Sequence, residues 1–521
     1  MAVEALAEAS SLKEGLERFL LVTTIALGVA TLPQVLQWVR QIPYTLLLVI
    51  VGSGLALVDV RLVNLSPELI LTLFLPPLLF EAGWNLKWRD LRHDLGPILL
   101  FALVGVGISL LVVGMGLWRL AGFPLLISLL VGASLSATDP ISVIALFREL
   151  GVKERLKTLM EGESLFNDGV AVVAFSLLIS LMIGTEGFSL RTTTIQFVAF
   201  VGIGTGIGLL IGFGISYLTQ RFDLPLVEQS LTLIAAYGTY LLGESLGGSG
   251  VIAVVMCGLI LGNYGSRIGM NPRTRLIVSE FWEFVAFLVN SIVFLLIGDQ
   301  MRFSSLEQNL APIAITIAAM IAARVLVIFG LSWFSNTALK SGIGFREQTV
   351  LWWGGLRGSV TIALALSLPM GVEQRDTIIT TIFGVVLFTL LVQGLTIKPL
   401  LQRLQLLGDQ PLQQRYQELQ ARQAALTQVL NQLNKMEVRP DVEPEFYRYQ
   451  MSLIEGELKN LREELAQLTD EYPQLREYAV ELVRQELLSI EANVYAEFVQ
   501  TGRLNQELAP FMQRTLAGEP D

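Results

Sequence analysis

The sequence predicts an all-α polytopic membrane protein, with about thirteen transmembrane helices followed by a helical cytoplasmic tail. Three observations carry this. The 521-residue chain is 53% hydrophobic and only 16% charged, with a mean hydropathy of +0.59. A soluble protein cannot hide that much apolar surface, whereas a bilayer solvates it. The apolar residues gather in runs long enough to cross a hydrocarbon core, and almost the whole formal charge of −10 lies beyond them. The single cysteine, Cys257, and the single histidine, His93, leave no disulfide framework, zinc site or haem motif. No cofactor and no nucleic-acid partner are expected.

The candidate spans are residues 19–39, 43–60, 68–85, 96–118, 124–147, 158–183, 192–219, 226–243, 249–264, 278–300, 309–335, 348–370 and 376–400. Residues 1–18 form an acidic N-terminal segment without the basic region and cleavage site of a signal peptide, so the first span reads as a retained helix. Alternate loops carry fourteen Lys and Arg: Arg40; Lys87, Arg89, Arg92; Arg148, Lys153, Arg155, Lys157; Arg221; Arg267, Arg273, Arg275; Lys340, Arg346. The opposite set carries five: Arg61, Arg119, Arg191, Arg302 and Arg375. Positive charge stays on the cytoplasmic side, which places the N-terminus outside and the C-terminus inside. The regular alternation favours thirteen spans over twelve. A cell membrane is the expected location.

The transmembrane domain is expected over 19–402 and the tail over 403–521. From residue 404 onward there are 11 Lys/Arg and 20 Asp/Glu, a net charge of −9. Ile454, Leu458, Leu461, Leu465 and Leu468 recur at 4-3-4-3 spacing, as in an amphipathic helix or short coiled coil. The Pro-rich stretch 439–444 divides the tail into at least two helical parts. The tail holds no nucleotide loop or nucleophile motif. It reads as a solvated appendage, with a regulatory or dimer-stabilising role as the alternative.

Two acidic residues fall inside apolar spans. Asp139 lies in Ala137-Thr138-Asp139-Pro140, and Asp168 lies in Glu163-Ser164-Leu165-Phe166-Asn167-Asp168-Gly169. A charge at membrane depth costs at least ~2.5–3.5 kcal/mol and so marks an ion pathway. Ser164, Asn167 and Asp168 stand at i, i+3 and i+4, which puts a hydroxyl, an amide oxygen and a carboxylate on one helical face. Such oxygens suit a hard cation such as Na⁺. Pro140 disfavours helix at Asp139, and an interruption there frees carbonyls, including that of Thr138, as ligands. For the hydroxyl and amide side chains the ordinary alternative is helix–helix hydrogen bonding.

Further charges lie in the spans. Arg324, in Ala322-Ala323-Arg324-Val325, needs a carboxylate partner, and Glu163 is the one favoured, as a structural ion pair. Glu81 follows Pro76-Pro77 in a span expected to be broken by them, and is either a third acidic ligand or an interfacial residue. Arg357, in Gly354-Gly355-Leu356-Arg357-Gly358, marks a second interrupted helix or ordinary small-residue packing. Gly202, Gly204, Gly206, Gly208 and Gly212 suit close packing of the span 192–219, against the scaffold or a second copy.

Taken in order, these motifs resemble those of the NhaP/NHE-type sodium/proton antiporters: Pro-Pro-Leu-Leu-Phe-Glu-Ala-Gly, Ala-Thr-Asp-Pro, Glu-Ser-Leu-Phe-Asn-Asp-Gly, Asn290-Ser291-Ile292-Val293-Phe294, Ala-Arg-Val-Leu and Gly-Gly-Leu-Arg-Gly. The resemblance spans roughly residues 19–402. It implies inverted repeats with interrupted helices crossing at the ion site, and a homodimer in the lipid bilayer. Asp168 and Asp139 would be the ion-site carboxylates, and Ser164 and the Thr138 carbonyl ligands. Asn167 would be the neutral partner of Asp168, Glu163–Arg324 the internal ion pair, and Glu81 a group reaching the site through water. The transported species would be Na⁺ (with Li⁺ or K⁺ as alternatives) and H⁺, exchanged one for one without net charge. Such exchange serves pH homeostasis.

Competition explains such exchange. Desolvation favours the protonated form of a carboxylate and a bound cation favours the ionised form, so the two ligands displace one another. Three other classes use some of the same features. A cation channel would show no proton coupling. A proton-coupled carrier of an organic solute needs aromatic or paired cationic groups that this site lacks. An intramembrane enzyme needs a nucleophile or metal set, whereas Cys257 stands alone and His93 lies in a loop.

Overall fold

A computed structural model of the protein describes residues 2–35, 42–58, 62, 66–184, 189–221, 224–266, 270, 272–301, 303–407, 410–435, 444–500 and 503. No strand occurs among the described residues. The chain groups into two compact units, Met1–Arg148 with Val152–Leu406, and Leu407–Asp521 with Glu149–Gly151.

The first unit contains helices over every apolar run. They are α1 (Ala2–Val35), α2 (Tyr44–Leu57), α3 (Leu69–Asn85), α4 (Trp88–Ala121), α5 (Leu125–Ser134), α6 (Ile141–Leu150), α7 (Glu154–Ile183) and α8 (Leu190–Thr219). Next come α9 (Pro225–Ser245), α10 (Gly250–Gly265), α11 (Pro272–Asp299), α12 (Leu310–Ala338), α13 (Phe345–Trp353), α14 (Ser359–Leu366) and α15 (Arg375–Arg403). Among the described residues, six helices are long and apolar enough to cross a membrane, and α2, α3, α5 and α10 are shorter apolar ones. The loop cations Arg40, Arg61, Arg267 and Arg302 lie outside the described residues.

The N-terminal segment is helical, because Ala, Glu, Leu and Lys favour helix, and α1 runs from Ala2 into the first apolar run. One expectation is corrected. Pro76 and Pro77 do not break their span. A π-helical stretch, Leu69–Phe74, runs directly into the α-helical part, and the prolines occupy the first turn of that part, where their missing donors are tolerated.

The expected interruptions are present. Residues 135–140 separate α5 from α6, and residues 354–358 separate α13 from α14. A long helix, an interrupted helix and a long helix thus occur twice, as α4, α5/α6, α7 and as α12, α13/α14, α15. The interruptions touch: the Asp139 N–H donates to the Leu356 carbonyl at 2.8 Å.

Packing divides this unit into two bodies. Helices α1–α3 and α8–α11 pack mainly on one another, and the two triplets pack together as the other body. The bodies meet where α7 touches α8 and α10, and where α14 touches α3 and α11. In the first body α8 presses on α10. A Cβ at Gly204 would lie 2.6 Å from the Ser249 carbonyl oxygen, and one at Gly208 would enter the Ala253 carbonyl. Gly202 and Gly206 face open space on the other side of α8.

The second unit contains α16 (Gln410–Lys435), α17 (Pro444–Glu471) and α18 (Gln474–Gln500). The expected break at 439–444 falls on residues of which 436–443 lie outside the described ones. Leu458 and Leu461 of the predicted stripe are buried, as are Tyr416 and Leu419 of α16, the helix on which α17 packs.

Candidate ion site

The site is built where the two interruptions cross beside α7. The break after Ser134 leaves its carbonyls without helical partners. Arg357, fully buried in the second break, takes two of them: Nη1 donates to Ala137 O at 3.0 Å and to Ser136 O at 3.5 Å. A guanidinium at the C-terminal end of α5 also suits the negative end of the helix dipole. The Arg357 N–H is held by Thr389 Oγ1 at 3.1 Å. Arg357 is therefore part of the crossing.

Asn167 holds the unwound segment from α7. Its Nδ2 donates to Thr138 Oγ1 at 2.7 Å, and its Oδ1 accepts from the Thr138 N–H at 3.2 Å. Ser164 Oγ donates to the Thr138 carbonyl. The Ser164 hydroxyl and the Thr138 carbonyl oxygen thus lie side by side, and Asn167 spends its amide on positioning Thr138. Asp139 Oδ1 accepts from the Ile141 N–H at 3.0 Å and so caps α6.

The remaining oxygens are the informative ones. Asp139 Oδ2 and Asp168 Oδ1 are buried and have no hydrogen-bond partner among the described residues. A buried carboxylate oxygen without a donor is costly unless a proton or a cation satisfies it. Asp139 and Arg357 are both within electrostatic reach of Asp168. Gly358 lies directly on the Asp139 carboxylate, where any Cβ would collide with Oδ2.

Glu163 and Arg324 form a buried ion pair between α7 and α12. Arg324 Nη2 also donates to the Leu351 carbonyl at 2.6 Å, which ties α13 to the pair. A Cβ at Gly355 would lie 2.9 Å from Arg324 Nε. The pair braces the second interruption and does not line the cavity.

A cavity of about 320 Å³ opens onto Asp139, Asp168, Ser164 and Thr138. It lies at the junction of the two bodies, with α2, α3 and α11 on one side and α6, α7 and α14 on the other. Glu81 lines it and accepts from Asn85 Nδ2. Sequence reasoning missed several lining residues. Arg148 and Glu161 form an ion pair at 3.8 Å, and Glu283 and Asn290 project from α11. Thr45 of α2 and Ser142 of α6 share a buried hydrogen bond across the junction of the bodies. Glu283, an acid within an apolar span, was a usable signal. Thr45 and Ser142 offered none, because only the fold brings them together.

The fold and the site define a secondary ion transporter of the interrupted-helix class, not an enzyme. A family model described as sodium/hydrogen exchanger, transmembrane, matches residues 22–403, and the chain belongs to that family. Among its relatives, the Na⁺/H⁺ antiporter ApNhaP of Aphanothece halophytica is 58% identical over 518 residues, covering 99% of each chain. The low-affinity Na⁺/H⁺ antiporter NhaS1 of Synechocystis sp. is 56% identical over 519 residues, covering 99% of this chain and 98% of that one. The solved structure of the sodium proton antiporter MjNhaP1 from Methanocaldococcus jannaschii superposes with a TM-score of 0.62 at 20% identity, covering 75% of this chain and 99% of that one. The last likeness bears on the fold.

Proposed function

We propose that this protein exchanges Na⁺ for H⁺ across a cell membrane, one for one, with Asp168 and Asp139 as the competing site. The observation that carries the reading is the pair of carboxylates lining an open cavity, each with a buried oxygen that has no hydrogen-bond partner. Its relatives, antiporters by name over the full length of this chain, support the choice of ions. Ser164 Oγ and the Thr138 carbonyl are the neutral ligands, and their mutual hydrogen bond opens when a cation enters. Asn167 positions Thr138. Glu81 and Glu161 attract cations into the cavity and relay protons to it. Glu163–Arg324 and Arg357 hold the crossing in shape.

The cavity wall includes Arg148, from the loop set that carries most of the Lys and Arg. With that set cytoplasmic, the site faces the cytoplasm in this state, the N-terminus lies outside and the tail inside. Movement of the body holding the two interruptions against α1–α3 and α8–α11 carries the site to the other face. The open α8 face at Gly202 and Gly206 is where a second copy would pack to form a homodimer.

Charge balance supplies the test. Asn167 brings no titratable charge, so the site carries the same charge with one H⁺ as with one Na⁺. In proteoliposomes, voltage clamped by K⁺ and valinomycin should leave the rate of Na⁺-driven proton movement unchanged. A control without Na⁺ shows that K⁺ itself drives no exchange. A steep voltage dependence would mean a second proton in the cycle and would overturn the one-for-one reading.

A further inference from the structure

Helix α18 carries an apolar seam that nothing in the described structure covers. Val480, Val483, Leu487, Ile490 and Val494 recur at 3-4-3-4 spacing and are 63, 55, 43, 55 and 44% exposed. The helix is held near its start, where Leu475 is fully buried and Gln417 Nε2 donates to Tyr478 OH at 2.6 Å. Beyond that point the seam runs free for roughly 21 Å at 1.5 Å per residue. The stripe on α17 behaves differently, since Leu458 and Leu461 are buried within the tail itself.

We propose that the α18 seam pairs with the same seam of a second copy of this chain, as a short antiparallel coiled coil. The 3-4 spacing is that of a coiled-coil a/d seam, with a positions at Val480, Leu487 and Val494 and d positions at Val483 and Ile490. A two-fold interface requires a self-complementary patch, and the flanking charges supply it. Arg484 and Glu491 both stand at e. In an antiparallel pair Arg484 of each chain lies opposite Glu491 of the other, once on each side of the axis. In a parallel pair the heptad sets Arg484 beside Ala479 and gains nothing. A lipid surface does not fit this helix, whose five Glu and two Arg give a net charge of −3 that an anionic leaflet repels. Two heptads are too short to associate strongly in dilute solution. Confinement of the chains to one membrane raises their effective concentration and removes that obstacle.

Single cysteines in the full-length chain test this directly, because the native Cys257 is buried. An antiparallel pair brings the two copies of residue 487 close together near the axis. It packs a positions against d positions, setting 483 against 494 and 487 against 490, and separates the two copies of residue 483 by roughly 17 Å along the axis. Under mild oxidation in native membranes, Leu487→Cys should form chain-to-chain disulfides several-fold above a control at the exposed Lys459. Val483→Cys and Val494→Cys should each remain monomeric alone and cross-link when co-expressed. Adding Leu487→Asp to both of that pair should abolish their cross-link and leave Na⁺-dependent exchange unchanged. Cross-linking of Val483→Cys alone would indicate a parallel pair and overturn the proposal. Yields no higher than at Lys459→Cys, with all variants folded and exchange-active, would show that another occupant covers the seam.

Discussion

Asp139 and Asp168 each keep one buried carboxylate oxygen without a hydrogen-bond partner. The side chain of Asn167, by contrast, is tied to Thr138, and that of Arg357 to the carbonyls of 136 and 137. That asymmetry separates ligands from braces. Replacing either Asp by Asn removes the charge with little change in size, so Asp168→Asn and Asp139→Asn should fold, and each should lose Na⁺-dependent proton movement in proteoliposomes. Near wild-type exchange in one of them would remove that residue from the site. The brace gives the opposite pattern. Arg324→Ala strands the buried Glu163 carboxylate at a cost of about 3–5 kcal/mol. It should lower expression and thermal stability, and adding Glu163→Ala should partly restore them. A double variant no better than the worse single one would contradict direct pairing. This pair was legible in the sequence because a buried arginine demands a carboxylate. Thr45 and Ser142 were not, because each is an ordinary hydroxyl until the fold sets them together.

At the scale of the element, the two interruptions have different chemical origins. Pro140 prevents helix at Asp139, whereas the second break rests on three glycines, of which Gly358 permits the closest approach. A methyl group at that position collides with the Asp139 carboxylate, and overpacking costs of ~1–3 kcal/mol set the lower bound of the effect. Gly358→Ala should therefore abolish exchange while α14 and the rest of the helical content persist, as read by circular dichroism alongside transport. Unchanged transport would show that the interruptions have room to separate. Both breaks could be read from local sequence. The proline pair at 76 and 77 misled, because its effect depends on where a proline falls along a helix and not on its presence. The tail shows how far periodicity reaches. The stripe at 454–468 is satisfied by α16, while the free seam lies one helix later, and burial alone distinguishes them.

For the whole molecule, what matters is the junction between two helical bodies, with the cavity running along it and both carboxylates on one side. Hydropathy located the apolar runs along the chain. It could not assign them to bodies, which requires knowing which helices touch. The division makes one site accessible to one face at a time, and exchange then follows if the site must be occupied to cross. Occupancy by either ion, at the same oxygens, is the central claim. The most direct measurement is the apparent KM for Na⁺ in proteoliposomes, determined across a series of pH values held equal on both sides. Competition predicts that KM rises as pH falls, by up to about tenfold per pH unit for one proton displaced per cation, while the maximal rate at saturating Na⁺ is preserved. A KM independent of pH, with only the maximal rate falling in acid, would place the proton elsewhere and contradict the account.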